Sequence, residues 1–252
     1  MANRKLVSFD WAIKRLLRSK ANFDILEGFL SELLREEIRI VEVLESEANQ
    51  ETPDDKFNRL DLKVKNTAGE IIIIEVQYER ELDFLARMLY GTAKTITEHI
   101  GDGESYAKIV KVISVNILYF DLGIGVDYIY WGTTRFIGLH QHDELQLSEA
   151  QQTVFVGKTE TYEIFPEYYL IKVNRFDDIA RDSLDEWIYF LKHEEIKDEF
   201  TAKGLAQAKE RLDIMKLSAT ELQAYERHQD NLRYQASLVD SNYRLGRLEG
   251  LE

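Results

Sequence analysis

Apolar and polar positions along the chain alternate between two periods, one helical and one extended. Phe9, Ile13, Leu16 and Leu17 recur at helical spacing, as do Ile25, Phe29, Leu30, Leu33 and Leu34, which predicts one or two helices over Phe9 to Leu34. Between Arg39 and Ser46, Ile40, Glu42 and Leu44 alternate with Val41, Val43 and Glu45, a strand pattern. Glu47 to Asn58 is polar, carries Pro53 and reads as a loop. Leu60–Val64 and Ile71–Val76 are rich in aliphatic and β-branched residues around Gly69, which predicts a hairpin. Leu82, Leu85, Ala86 and Leu89 make a helical stripe in Leu82 to Ile100. Ile109 to Phe120 is a nearly continuous apolar run, as expected of a strand buried on both faces. Further strands are expected at Thr133–Leu139 and Thr161–Val173, with a polar connection at His140–Gln152. A helix is expected at Ser183–Leu191, packed by Leu184, Trp187, Ile188 and Leu191. From about Thr201 the chain is rich in Ala, Leu, Glu, Lys, Gln and Arg, lacks proline, and opens its last helix with a capping box at Ser218-Ala-Thr-Glu221. The sum is an α/β fold with a mixed sheet flanked by helices. Residues 1–200 would form the main domain and 201–252 a helical C-terminal appendage.

Composition narrows the class. The chain is 44% hydrophobic and 31% charged, a soluble globular balance. No run approaches the roughly 18 apolar residues of a membrane span, so no membrane partner is expected. The first residues show no apolar run followed by a small-residue cleavage site. Cysteine is absent, which excludes disulfides and thiolate metal sites and suits a cytoplasmic location. The net charge of −14 opposes binding to phosphate backbones. Residues 1–20, however, hold Arg4, Lys5, Lys14, Arg15, Arg18 and Lys20 against Asp10 alone. That segment is either a local basic patch or a solvated helix face.

The sharpest chemistry lies in LDLKVKNTAGEIIIIEVQY, Leu60 to Tyr78. Side chains alternate faces on a strand, so Ile71, Ile73, Glu75 and Gln77 share one face. A charge therefore interrupts an apolar stripe where burial should be deepest, which is costly without compensation. If Thr67-Ala68-Gly69 is a three-residue turn with glycine in the left-handed position, Asn66 faces Glu70 and Asp61 faces Glu75. Directly opposed residues point to one face with Cβ atoms roughly 5 Å apart. A four-residue loop would scatter the two acids onto different faces. Two carboxylates so close require a cation, and hard oxygen donors suit Mg²⁺ or Mn²⁺. Such a metal can lower the pKa of a bound water for phosphodiester cleavage. Gln77 could orient the water or bond the phosphate, but it brings no charge. The competing reading makes Asp61 and Glu75 ordinary edge charges, or partners of Lys63 and Arg59.

Asp61, thirteen intervening residues and Glu75-Val76-Gln77 resemble the PD-(D/E)XK nuclease signature. More narrowly, they resemble the Rpn family of recombination-promoting nucleases and transposases. The likeness extends to Phe9-Asp10-Trp11-Ala12-Ile13-Lys14 with Phe29-Leu30, to Arg87-Met88-Leu89-Tyr90, to Gly103-Glu104-Ser105-Tyr106 with Val112-Ile113-Ser114-Val115, and to Leu184–Leu191, roughly residues 8–195. The resemblance implies a restriction-endonuclease-like fold, magnesium-dependent DNA endonuclease activity, and a setting in mobile elements, recombination or phage defence. It implies that Asp61 and Glu75 bind metal with the main-chain carbonyl of Val76, that Gln77 holds the position of the signature's usual lysine, which is the narrower family's own variation, and that Asp10 is a weaker additional ligand. DNA is the implied partner, and a homodimer fits nucleases that cut both strands.

Leu60 stands where the signature has proline, and the usual Phe-Lys and Phe of the first helix are here Ile13-Lys14 and Leu16-Leu17. Without the lysine, Lys63 on the Asp61 face is a candidate for the missing charge; the alternative is that it is solvated or paired with an acid. Arg87 and Tyr90 share a helix face, either as phosphate contacts or as a structural pair. His140-Gln-His142-Asp143 offers too few ligands for a metal site, and Trp11, Trp131 and Trp187 read as packing residues. No Walker loop or dinucleotide fingerprint occurs. A catalytically inactive nuclease-fold module that binds DNA or protein is the main rival function. A metal-dependent hydrolase of RNA or nucleotides is a third.

Overall fold

The computed structural model describes residues 6–44 and 61–248 together with Gly250. The loop expected at Glu47–Asn58 lies outside the described residues. Two compact units are formed, one from residues 1–35 and 178–252, the other from residues 36–177.

The first unit is helical. It contains α1 (Phe9–Arg15) and α2 (Phe23–Leu34), so the stretch expected to hold one or two helices holds two. Phe9, Phe29, Trp187 and Phe190 meet edge-on or tilted at 5.4–6.3 Å between ring centroids. This aromatic packing is the unit's core. Gly28 in α2 lies so close to the 203–204 backbone that an added Cβ would sit 2.2 Å from the Lys203 carbonyl oxygen.

The second unit is a six-stranded mixed sheet. Its elements are β1 (Ile40–Leu44), β2 (Leu62–Asn66), β3 (Ile71–Gln77), α3 (Phe84–Glu98), β4 (Val112–Leu118), β5 (Ile129–Gly132), α4 (Glu149–Val154) and β6 (Glu167–Lys172). The strand order is β1-β2-β3-β4-β6-β5. β3, β4 and β6 run parallel, while β1–β2, β2–β3 and β5–β6 are antiparallel. The chain closes with the first unit's α5 (Ser183–His193), α6 (Leu205–Arg211) and α7 (Ala219–Leu248). The mixed sheet with its helices and the C-terminal helices is the restriction-endonuclease-like α/β class expected from sequence.

The β2–β3 turn has the expected three-residue form. Gly69 adopts φ +80°, Gly69 N–H donates to the Asn66 carbonyl at 3.1 Å, and Glu70 N–H donates to Asn66 Oδ1 at 2.9 Å. Lys65↔Ile71 through Leu62↔Ile74 pair in the register that turn dictates. Across the parallel ladder, Ile71, Ile73, Glu75 and Gln77 align with Val112, Ser114, Asn116 and Leu118. α3 packs on this face: Ile96 rests against Ile71, Ile73 and Val112, while Phe84 and Met88 rest against Leu118 and Phe120. Every residue of β4 is buried, as its continuous apolar run required.

Two expected strands are displaced. Thr133–Leu139 is not a strand; Ile137 makes one isolated bridge to Glu144, and the sheet edge is Ile129–Gly132 instead. Ile129-Tyr130-Trp131 supplies the β-branched and aromatic side chains an edge strand favours. Thr161–Val173 is extended only from Glu167, after one 3-10 turn at Thr161–Glu163. Pro166 explains the late start, because it has no N–H for a ladder bond. The polar connection at His140–Gln152 contains the beginning of α4, closed by a Ser148/Gln151 capping box.

The capping box at Ser218–Glu221 forms as expected, with Ser218 N–H donating to Glu221 at 2.8 Å and Glu221 N–H to Ser218 Oγ at 3.3 Å. The units divide at 35/36 and 177/178, whereas composition changes at about Thr201. Residues past 201 pack with the N-terminal helices: Arg211 reaches Asp24 at 2.6 Å, and Tyr225 packs edge-on against Trp11 at 5.4 Å. Among the described residues no helix is long and apolar enough to cross a membrane.

Candidate active site

The β2–β3 ladder ends at Leu62↔Ile74, and Asp61 follows in a bend. Its carboxylate Oδ2 there accepts the Val76 N–H at 2.7 Å, taking the place of a backbone acceptor. The N–H and C=O of one strand residue point to the same side. The Val76 carbonyl therefore leaves β3 on the Asp61 side, while the Gln77 carbonyl turns the other way and accepts Tyr119 N–H at 2.9 Å. Carboxylate and carbonyl thus lie on the same side of β3, beyond the end of β2.

Glu75 is 5% exposed and lies beside Asn116 of β4. Asn116 donates to Ser114 Oγ at 3.0 Å and to the Tyr169 carbonyl at 3.2 Å. The charge on Glu75 is met by Arg87, whose Nη2 donates to Glu75 Oε1. The same Nη2 reaches Gln77 Oε1 at 3.2 Å, and Nη1 donates to Glu81 Oε1 at 2.7 Å. Gln77 Nε2 donates to that same Glu81 oxygen at 2.9 Å. Burial lowers the Arg87 guanidinium from its ordinary range, an effect the Asp61 charge opposes. Phe84 lies under the guanidinium at 5.2 Å.

The helix explains this placement. α3 buries Phe84, Gly91, Thr92 and Thr95 against the sheet, so Arg87 stands one position round, on the flank over β2 and β3. Three turns on, Glu98 occupies that flank and binds Lys63 Nζ at 3.1 Å. Lys63 is thus paired with an acid, one of the two outcomes left open by sequence, and the cation on Glu75 is Arg87. Tyr90 is exposed one turn beyond Arg87.

Arg87 thus bonds both Glu75 and Gln77, and Asp61, outside the ladder in a bend and not in the expected pairing with Glu75, bonds the N–H of Val76 between them. Glu81 belongs to the same cluster and sequence reasoning missed it. Its only signal was position: the connector Tyr78–Asp83 must pass the C-terminal end of β3 on its way into α3. Asp10 lies in the other unit, buried, with His228 Nε2 at 2.8 Å from its Oδ2. His140 and His142 sit in an exposed loop.

Among the described residues no three Asp, Glu, His or Cys side chains form a ready metal cluster. Two carboxylates and one carbonyl nevertheless fit a small hard cation, because Mg²⁺ keeps several waters and takes one or two carboxylates plus substrate phosphate oxygens. The donor set is all oxygen, which excludes a site built for soft metals.

A family model described as PD-(D/E)XK nuclease family transposase matches residues 7–242, extending the sequence likeness into the C-terminal helices. Neither a curated protein nor a solved structure matches the chain.

Proposed function

We propose that the chain, which belongs to the PD-(D/E)XK nuclease family transposases, is an endodeoxyribonuclease that hydrolyses DNA phosphodiesters with bound Mg²⁺ or Mn²⁺. The observation that carries this reading is that Asp61 bonds the N–H of Val76, the residue after Glu75, at one end of the hairpin, with Arg87 already drawn onto Glu75. When bound, the metal would supply an activated water and charge stabilisation at the phosphate. Asp61, Glu75 and the Val76 carbonyl would hold it. The N–H of Val76 fixes the Asp61 carboxylate, so that ligand is oriented before any metal arrives. Gln77 holds the position of the signature's usual lysine; its amide can orient a water or a phosphate oxygen by hydrogen bonds alone. Arg87, bonded to the same amide, brings the positive charge that Gln77 lacks. DNA is the substrate of this reading, mobile or invading DNA in the cytoplasm its setting, and a homodimer its route to cutting both strands.

Nicking of supercoiled plasmid tests it. Cleavage is expected with Mg²⁺ or Mn²⁺, none in chelator, and none from Asp61→Ala or Glu75→Ala in either metal. Cleavage by both variants at the wild-type rate would discard the site. A second reading is a nuclease fold that binds DNA or protein without cutting, and one observation favours it: Glu75 is already neutralised by Arg87. Metal-independent DNA binding without nicking in the same assay would support that reading.

A further inference from the structure

Arg87 binds an oxygen of Glu75, a proposed metal ligand, and resting on the metal-dependent reading above, we propose that Arg87 is a resident cation displaced by the metal, with Glu81 as its holding point in both states. Three observations carry this. First, one guanidinium spans Glu75, Gln77 and Glu81, so the cation position is filled without a metal. A metal ion on Glu75 would put a second cation beside the guanidinium, so metal binding and the Arg87–Glu75 bond weaken each other. Second, Arg87 bonds Glu81 through Nη1 and Glu75 through Nη2. The Glu75 bond can break while the Glu81 bond persists. Glu81 also holds Gln77 by the same oxygen, so the amide and the guanidinium move as one unit. Third, Arg87 Nε is buried with no hydrogen-bond partner among the described residues. A buried donor left unmade is costly, so this arrangement leaves part of the guanidinium unspent. Freed from Glu75, Nη2 and Nε are two donors for the oxygens of a phosphate, which Arg recognises in a paired fashion. Glu81 is therefore a positioning residue. It keeps Arg87 near the scissile group when the metal takes Glu75.

The consequence runs against the usual expectation for an active-site arginine: its removal tightens the metal. Mn²⁺ binding to the full chain, measured by calorimetry without DNA, is expected to strengthen about tenfold in Arg87→Ala, within the ordinary range of coupling between competing sites. Plasmid nicking by the same variant falls. Arg87→Lys keeps the aliphatic stem but cannot span three acceptors, and its Mn²⁺ affinity should lie between the two. Glu81→Gln leaves Glu75 as the one carboxylate hydrogen-bonded to Arg87, so Mn²⁺ should bind more weakly than to wild type, with kcat reduced more than KM. Wild-type or weaker Mn²⁺ affinity in both folded Arg87 variants overturns the displacement, as does unchanged affinity in Glu81→Gln. Asp61→Ala and Glu75→Ala separate the two levels. If they still bind Mn²⁺ as wild type does, the metal site itself is wrong. If they lose Mn²⁺ while the Arg87 variants gain nothing, the site stands and the displacement alone falls.

Discussion

Asp61 serves two roles that substitution can separate. Its carboxylate is the acceptor for Val76 N–H and a proposed metal ligand. Asp61→Asn keeps an acceptor of the same shape, whereas Asp61→Ala leaves a strand N–H without one, a loss of about 1–2 kcal/mol. Urea unfolding should therefore show Asp61→Asn close to wild type and Asp61→Ala less stable by about that amount, while both lose nicking. Equal stability of the two variants would mean the hydrogen bond contributes nothing to the fold. The pairing behind this was legible in the sequence, because a single glycine in the left-handed region, Gly69, sets a three-residue turn and a period of two carries the register to Leu62↔Ile74. Glu75 was legible for a different reason: a charge inside an isoleucine run has to be compensated. Its compensation by Arg87 was not, since two groups on different elements meet only through the packing angle of α3. Glu81 had no periodicity at all to give it away.

At the scale of elements, long periodic segments declared themselves and short ones did not. β3, β4 and the capped start of α7 follow their patterns. α3 forms where expected, but its predicted stripe of Leu82, Leu85, Ala86 and Leu89 is exposed and the buried face is Phe84, Gly91, Thr92 and Thr95. The outer strand shifted to Ile129–Gly132 because an edge strand buries little and its pattern is correspondingly weak. Helix contacts in the first unit were invisible for the same reason that Arg87 was. Gly28 is one such contact, silent in the sequence and tight in the fold. Gly28→Ala would drive a methyl into the Lys203 carbonyl, and overpacking of this kind costs about 1–3 kcal/mol. A fall in thermal midpoint is expected, although alanine is the better helix former; a rise would mean α2 and the 203–204 segment separate freely. α1 and α7 are joined by Asp10 and His228. Burial pushes the Asp10 carboxyl up, but the bond to His228 and its charge, aided by Ser8 and Lys14, bring it below its ordinary value of 3.8. A lowered carboxylate contributes stability that is complete above pH 3.8 and fades as pH falls through the folded value. Asp10→Asn should therefore be less stable than wild type by about 2 kcal/mol near neutrality. The two acid-unfolding curves should converge below pH 3.8. A gap that persists undiminished there would assign the loss to packing instead of charge.

For the molecule as a whole, the question is how a chain of net charge −14 approaches a polyanion. Long-range attraction cannot do it, because the net charge repels and its field is largely screened beyond the Debye length of about 8 Å in physiological salt. Affinity has to come from local cations and, in the proposed reaction, from the metal. The one strongly basic stretch is residues 1–20, and of its side chains Lys14, Arg15, Arg18 and Lys20 are exposed. Each phosphate neutralised by such a side chain contributes about −0.9 to the slope of log affinity against log salt on duplex DNA. If Arg15 and Lys20 contact phosphates, the double variant Arg15→Gln/Lys20→Gln should bind every duplex sequence more weakly and lower that slope by about 2. Binding would be measured by fluorescence anisotropy in Ca²⁺, over a salt series and on two unrelated duplexes. An unchanged slope identifies the segment as a solvated helix face. The same series in chelator isolates the metal: loss of binding at every salt concentration, with the slope of the residual binding unaltered, is the signature of an acidic protein that holds DNA through a cation bridge at the hairpin.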